Sequence, residues 1–152
     1  MILFSLFCNI PLLAVPNSSP ENEPKISAVG SSPTKSAALE ESIHMLEECE
    51  QTDRKHSNHV HAYQTHNRIV ALRMEAGFIT LNQAKIRFQM LDRAYIMIPP
   101  QNVRSEDRQN HKRYHGNTAN RLSQVYGDLG ETKNAEDAKE RSEKLKMEAK
   151  QV

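Results

Sequence analysis

Beyond Ser36 the chain holds two prolines, adjacent at Pro99-Pro100, and four glycines, and its apolar residues recur at steps of three and four. That period puts one apolar stripe on an α-helix, whereas a half-buried strand alternates with period two. No run in the chain alternates in this way. The expected fold class is therefore all-α: antiparallel helical hairpins, as a short repeat stack or a small bundle, since short connections make successive helices neighbours.

Five helices are expected. The first runs from Ser36 to Gln51, with Leu39, Ile43, Leu46 and Cys49 on one face and five glutamates elsewhere. The second runs from Ser57 to Ala76 and ends at Gly77, where a left-handed stop suits glycine. The third runs from Thr80 to Ile98, opened by a capping box of Thr80 and Gln83 and halted by the proline pair. Its stripe is Leu81, Ala84, Phe88, Leu91 and Tyr95. The fourth starts near Ser105 and ends at Gly130, and the fifth covers Thr132 to Ala149. Together they give an all-α domain over residues 36–152.

The segment before it divides in two. Residues 2–15 read ILFSLFCNIPLLAV and carry no charge. They are too short for a bilayer span, which needs about 20 apolar residues, and match the length of a signal-peptide apolar region. Residues 1–15 are expected to be a signal peptide, and the chain secreted, with a cytoplasmic location as the alternative. Residues 16–35 hold four prolines and five serines and are expected to be a disordered linker. After removal of a signal peptide no stable membrane insertion is expected, and Cys49 would be left without Cys8, so no internal bridge could form.

Two segments match at an offset of 53 residues. Asn67-Arg68-Ile69 corresponds to Asn120-Arg121-Leu122, and Gly77 to Gly130. Leu122, Tyr126, Gly130, Ala135 and Leu145 have the spacing of a tetratricopeptide repeat. The segment from 116 to 147 therefore resembles one such helical hairpin, and 60–98 resembles a weaker copy. Ala119, Lys139 and Met147 depart from the pattern, which more often has aromatics at the first two positions and proline at the last. The resemblance implies a non-catalytic protein-interaction module that holds a peptide or protein surface in a groove. By the same resemblance the groove would be lined by Asn67 and Ala71 in the first copy and by Asn117, Asn120 and Gln124 in the second. Secreted by an organism that colonises a host, such a module would act as an effector.

Two other readings rest on composition. His56, His59, His61 and His66 fall within eleven residues, and His111 and His115 are four apart. Spacings of three or four bring imidazoles to one helix face, a zinc or copper arrangement, although neither a cysteine pair nor a glutamate zinc motif accompanies them. The alternative is a set of solvated, pH-responsive histidines. Charge is also unevenly placed. Residues 36–52 carry five acids and no base, while residues 53–128 carry twelve bases against six acids. Arg104, Arg108, Lys112, Arg113 and Arg121 could form a basic patch for an anionic partner. Nucleic acid is not the expected partner, because no set of stacking aromatics accompanies the bases.

No phosphate-cradling glycine loop and no nucleophile elbow occurs, and Cys49 sits among glutamates, a poor setting for a nucleophile. Neither an enzyme nor a cofactor is expected.

Overall fold

A computed structural model of the protein describes residues 33–152. The expected signal peptide lies outside the described residues, as does the expected linker except for its last three positions. Those three open the first helix. The described residues form five α-helices and contain no strand: α1 Pro33–Lys55, α2 His59–Glu75, α3 Leu81–Met97, α4 Arg108–Asp128 and α5 Thr132–Lys150. The fold class is all-α, as the apolar period requires.

Three of the four connections are tight, and their backbone bonds show why. At the end of α2 the N–H of Gly77 donates to the Met74 carbonyl and the N–H of Phe78 to that of Arg73. At the end of α4 the N–H of Gly130 donates to Gly127 and the N–H of Glu131 to Tyr126, the same pair of bonds 53 residues on. Both are Schellman closures, which satisfy orphan carbonyls and need one left-handed residue. Gly77 and Gly130 supply it, with φ of 76° and 77°. The end of α1 closes in the same way through Ser57 and Asn58, and there Ser57 takes φ 56°.

The Thr80–Gln83 capping box forms as expected. Gln83 N–H donates to Thr80 Oγ1, and Thr80 N–H donates to Gln83 Oε1. In the second copy the next helix is capped at Glu131, so Ala84 and Ala135 each stand four residues past their cap. The connection is two residues longer in the first copy, which explains why its alanine is displaced from the 53-residue register.

The stretch after Pro99 differs from the expected start of α4. Two short 3₁₀ turns, Pro100–Asn102 and Ser105–Asp107, precede it, and α4 begins at Arg108 rather than near Ser105. Val103, between the turns, is buried beside Tyr95 and Tyr114 and pins the crossing down.

Three apolar clusters hold the helices together. Ile43, Ile69 and Leu72 join α1 to α2, with Leu39 and Leu46 against them. Val70, Ala71, Ala84, Phe88, Leu122 and Val125 join α2, α3 and α4. Val60, Leu91, Tyr95, Val103 and Tyr114 close the other end. The α4–α5 seam is made of small residues instead. Ser142 Oγ donates to the Gly116 carbonyl at 2.7 Å, and Ser123 Oγ to that of Ala135 at 2.8 Å. A Cβ at Gly116 would lie 3.2 Å from Lys146 Cγ and 3.3 Å from the Ser142 carbonyl oxygen. Glycine therefore sets how closely these two helices approach.

Candidate interaction surface

The histidines do not converge. His56 Nδ1 lies 2.8 Å from the Thr52 carbonyl at the end of α1, and His59 is exposed beside Tyr63. His61 meets Asp107 at 3.3 Å, and His66 meets Glu50 at 3.1 Å. His111 Nε2 donates to the Tyr95 carbonyl at 3.1 Å, and His115 Nε2 donates to Asp92 Oδ1 at 2.8 Å. His111 and His115 do come together, with ring centroids 6.4 Å apart, but each ring has spent its Nε2 on a separate partner. Among the described residues no three His, Cys, Asp or Glu side chains gather as a cation-binding group.

These pairings tie helices to one another. Asp92 on α3 is buried and accepts from His115 on α4 through Oδ1 and from Arg141 on α5 through Oδ2, at 2.8 and 2.9 Å. Tyr95, one turn away and fully buried, stacks on His115 with centroids 5.2 Å apart. Burial drives the Tyr95 phenol far above its ordinary range, with Tyr114 and Tyr63 adding to the effect and Thr118 opposing it.

Burial also pushes the His111 imidazole below its ordinary value of 6.5; the Tyr95 carbonyl opposes this, and the neighbouring His115 and Lys112 act in the same direction as burial. The unfolded chain thus takes up a proton at this residue before the folded one does. The stability it contributes is fully present above about pH 6.5 and is lost as pH falls toward the depressed folded value. Thermal unfolding followed between pH 7.5 and 5.5 should show a falling Tm. The fall should be shallower in His111→Gln, which keeps a donor for the Tyr95 carbonyl but cannot titrate. Identical slopes would exclude His111 as a source.

The expected basic patch is broken up. Arg104 precedes the helix, so the four-residue stripe it was to share with Arg108 and Lys112 is interrupted. Lys112 is paired with Glu148 at 2.7 Å, and Arg121 lies 3.7 Å from Glu75. Arg113 lies over the Tyr114 ring. Arg104 and Arg108 are exposed.

The groove residues divide by copy. Asn67 and Ala71 are only 4% and 2% exposed. Both share the inward face of α2 with Val60, seven residues before Asn67, and Ala71 belongs to the central apolar cluster. A partner lying on the surface does not reach them, which corrects the expectation for the first copy. In the second copy Asn117 and Asn120 are half-buried and Gln124 is exposed on α4, within reach of a partner.

A cleft of about 390 Å³ between α1 and α2 is lined by paired charges: Glu50 with Arg54 and His66, and Glu47 with Arg73. Burial works to raise the Glu50 carboxyl, but the hydrogen bonds and charges of His66 and Arg54 outweigh it and hold the group below the usual range. These groups satisfy each other and leave none directed at a ligand.

The surface that stands out is one the sequence reading missed. Eight large apolar side chains are exposed among the described residues, and four of them lie on α3: Ile86 at 54%, Met90 at 65%, Ile96 at 63% and Met97 at 78%. Ile86, Met90 and Met97 stand four and seven apart, so they form one stripe along the helix, opposite the buried stripe of Ala84, Phe88, Leu91 and Tyr95. Arg93 occupies the remaining position of the outer stripe, and Ile96 flanks it. Alpha3 thus carries two apolar faces, of which the described fold covers one. The only acid of α3, Asp92, is buried, while Arg87 and Arg93 form no ion pair among the described residues. The outer face is therefore apolar and basic. Exposed apolar side chains clustered in register on one helix face mark an interaction site more often than scattered single residues do.

No helix among the described residues is long and apolar enough to cross a membrane. In comparisons with known proteins, no family model, no curated protein and no solved structure matches the chain.

Proposed function

We propose that this protein is a non-catalytic protein-interaction module built from tetratricopeptide-like helical hairpins. The observation that carries the reading is the uncovered apolar stripe of α3, Ile86, Met90 and Met97, on a helix whose other stripe already fills the core. Exposing three large side chains in register is unfavourable unless a partner covers them. Methionine suits such a face because its flexible thioether fits partners of varied shape. The hairpin reading draws support from the paired Schellman turns at Gly77 and Gly130 and from an alanine four residues past each following cap. The accessible groove positions Asn117, Asn120 and Gln124 on α4 offer a second, polar surface. The uncharged run Ile2–Val15 supports export.

The test has two parts. Intact mass of the protein recovered from the surrounding medium should lack about the first 15 residues; a full-length mass found only inside cells removes the secretory reading. The protein should then retain a partner from that medium. Met90→Glu with Met97→Glu should reduce retention at least about tenfold, equivalent to about 1.4 kcal/mol, without loss of helicity. Asn120→Ala with Gln124→Ala should reduce it only if the α4 groove shares the work. Retention untouched by both pairs would refute the module.

A further inference from the structure

The geometry points to an amphipathic helix with acidic flanks as the partner that the outer face of α3 accepts. This inference rests on the interaction reading above and specifies the chemistry of the occupant.

Backbone accounting favours a helical partner. Along the middle of α3 the backbone donors and acceptors are already bonded within the helix, so only side chains are on offer to a partner there. Among the described residues there is no sheet edge to which an extended peptide could add a strand. What α3 offers is a ridge of side chains, and ridges pack into the grooves of another helix. The ridge runs from Ile86 to Met97, about 16 Å at ~1.5 Å per residue, which is the reach of three helical turns.

Charge selects acidic flanks. Arg93 stands within the ridge, between Met90 and Met97, and Arg87 stands beside it. Covering the ridge therefore covers or crowds Arg93. A partner carboxylate can pair with that guanidinium as it loses water, whereas a like charge or a purely apolar cover leaves it unpaired at a cost. No exposed acid on α3 competes for either arginine. Lys85 on the flank is already paired with Glu131 at 2.8 Å, so the free positive charge is concentrated at Arg87 and Arg93.

The same position of Arg93 argues against a lipid surface. An interfacial helix keeps its cations on the polar face and its apolar stripe clear, often with aromatic anchors. Here the cation interrupts the stripe, and neither Phe, Tyr nor Trp lies on it. A second copy of this chain is a weaker fit. Its acid-rich helix α1 exposes Glu40, Glu41 and Glu48, but with Met45 as its one large exposed apolar side chain it lacks a matching ridge.

The experiment uses the full chain and two synthetic 18-residue helical peptides. Both have leucine at steps of four and three; one is flanked by glutamate and the other by lysine. Fluorescence anisotropy should give a Kd of roughly 1–100 µM for the glutamate peptide, at least tenfold tighter than for the lysine peptide, and weakening with added salt. Met90→Glu should abolish the interaction and Arg93→Glu should reverse the preference, each with an unchanged circular dichroism spectrum. Met97→Glu serves as the second ridge variant should Met90→Glu lose helicity. Equal or tighter binding of the lysine peptide at the same ridge overturns the acidic partner but leaves the interaction face intact. So does failure of both peptides while Met90→Glu with Met97→Glu still abolishes capture of the partner from the medium. If neither peptide binds and that capture is insensitive to the ridge variants, both readings fall. Self-association in sedimentation, or binding to phosphatidylserine vesicles, that is lost in Met90→Glu would assign the face to another occupant and overturn the proposal.

Discussion

Asp92→Ala is expected to destabilise the protein by about 3 kcal/mol, the upper end of the cost of orphaning a buried hydrogen-bonding group. Asp92 is 7% exposed, and it is the one group that touches α4 and α5 from α3 through both carboxylate oxygens. Its removal leaves His115, itself 6% exposed, with an unpaired Nε2 in the interior. An orphaned buried donor loses its hydrogen bond with water as well as its protein partner, a penalty of about 1–3 kcal/mol. Arg141 contributes less, because its side chain is 42% exposed and can return to solvent. The order of variants follows. Asp92→Asn keeps an acceptor for His115 and should lose about 1 kcal/mol, less than alanine does. Combining Asp92→Ala with His115→Phe should restore part of the loss, since no ring N–H then remains to be satisfied. Urea unfolding of the three variants measures the ordering directly. A cost below about 0.5 kcal/mol for Asp92→Ala, the range of ordinary surface substitutions, would show that the three-helix tie is not a stabilising contact.

This tie also shows where a sequence stops being legible. Asp92 and His115 are 23 residues apart, and His61 and Asp107 are 46 apart. Spacing reports which residues share a helix face, so it grouped histidines with one another. Tertiary packing instead gave several of them a partner on a different element. The helices were legible for the opposite reason, because each is encoded within itself. The capping box at Thr80, the left-handed glycines at 77 and 130 and the proline pair after α3 are local signals that packing did not override. Boundaries were missed where the local signal permits more than one outcome. Proline is tolerated in a first helical turn, so α1 begins at Pro33 within a stretch that reads as linker by composition. The 3₁₀ turn at Ser105–Asp107 likewise has the acidic residues of a helix start without yet being one. In the proposed site, the 53-residue match with Asn120 implies a groove position for Asn67, yet its face of α2 is the one packed in the core. The outer ridge of α3 was visible in the sequence, since Ile86, Met90 and Met97 keep helical spacing. Periodicity alone does not single it out, because one stripe, Phe88 and its neighbours, already accounts for the helix.

Two substitutions two residues apart on α3 should separate those stripes. Phe88 is fully buried among Val70, Ala84, Leu122 and Val125, where α2, α3 and α4 meet. Phe88→Ala removes most of its side chain and leaves a cavity that three helices cannot easily close, at a cost of about 3–5 kcal/mol. Against a total stability on the order of 5–15 kcal/mol, in a chain with only 5% aromatic residues to fill its core, that is a large fraction. Met90 lies on the opposite side and is 65% exposed, so Met90→Glu should change stability by less than about 0.5 kcal/mol. Parallel denaturation curves of the two variants decide the point. The contrast predicts distinct phenotypes: Phe88→Ala loses stability and binds to the extent that it stays folded, whereas Met90→Glu keeps its stability and loses the partner. A cost above about 1.5 kcal/mol for Met90→Glu would mean that the ridge is already covered in the native protein. The apolar face of α3 would then be part of the core, and the case for an open interaction surface would be gone.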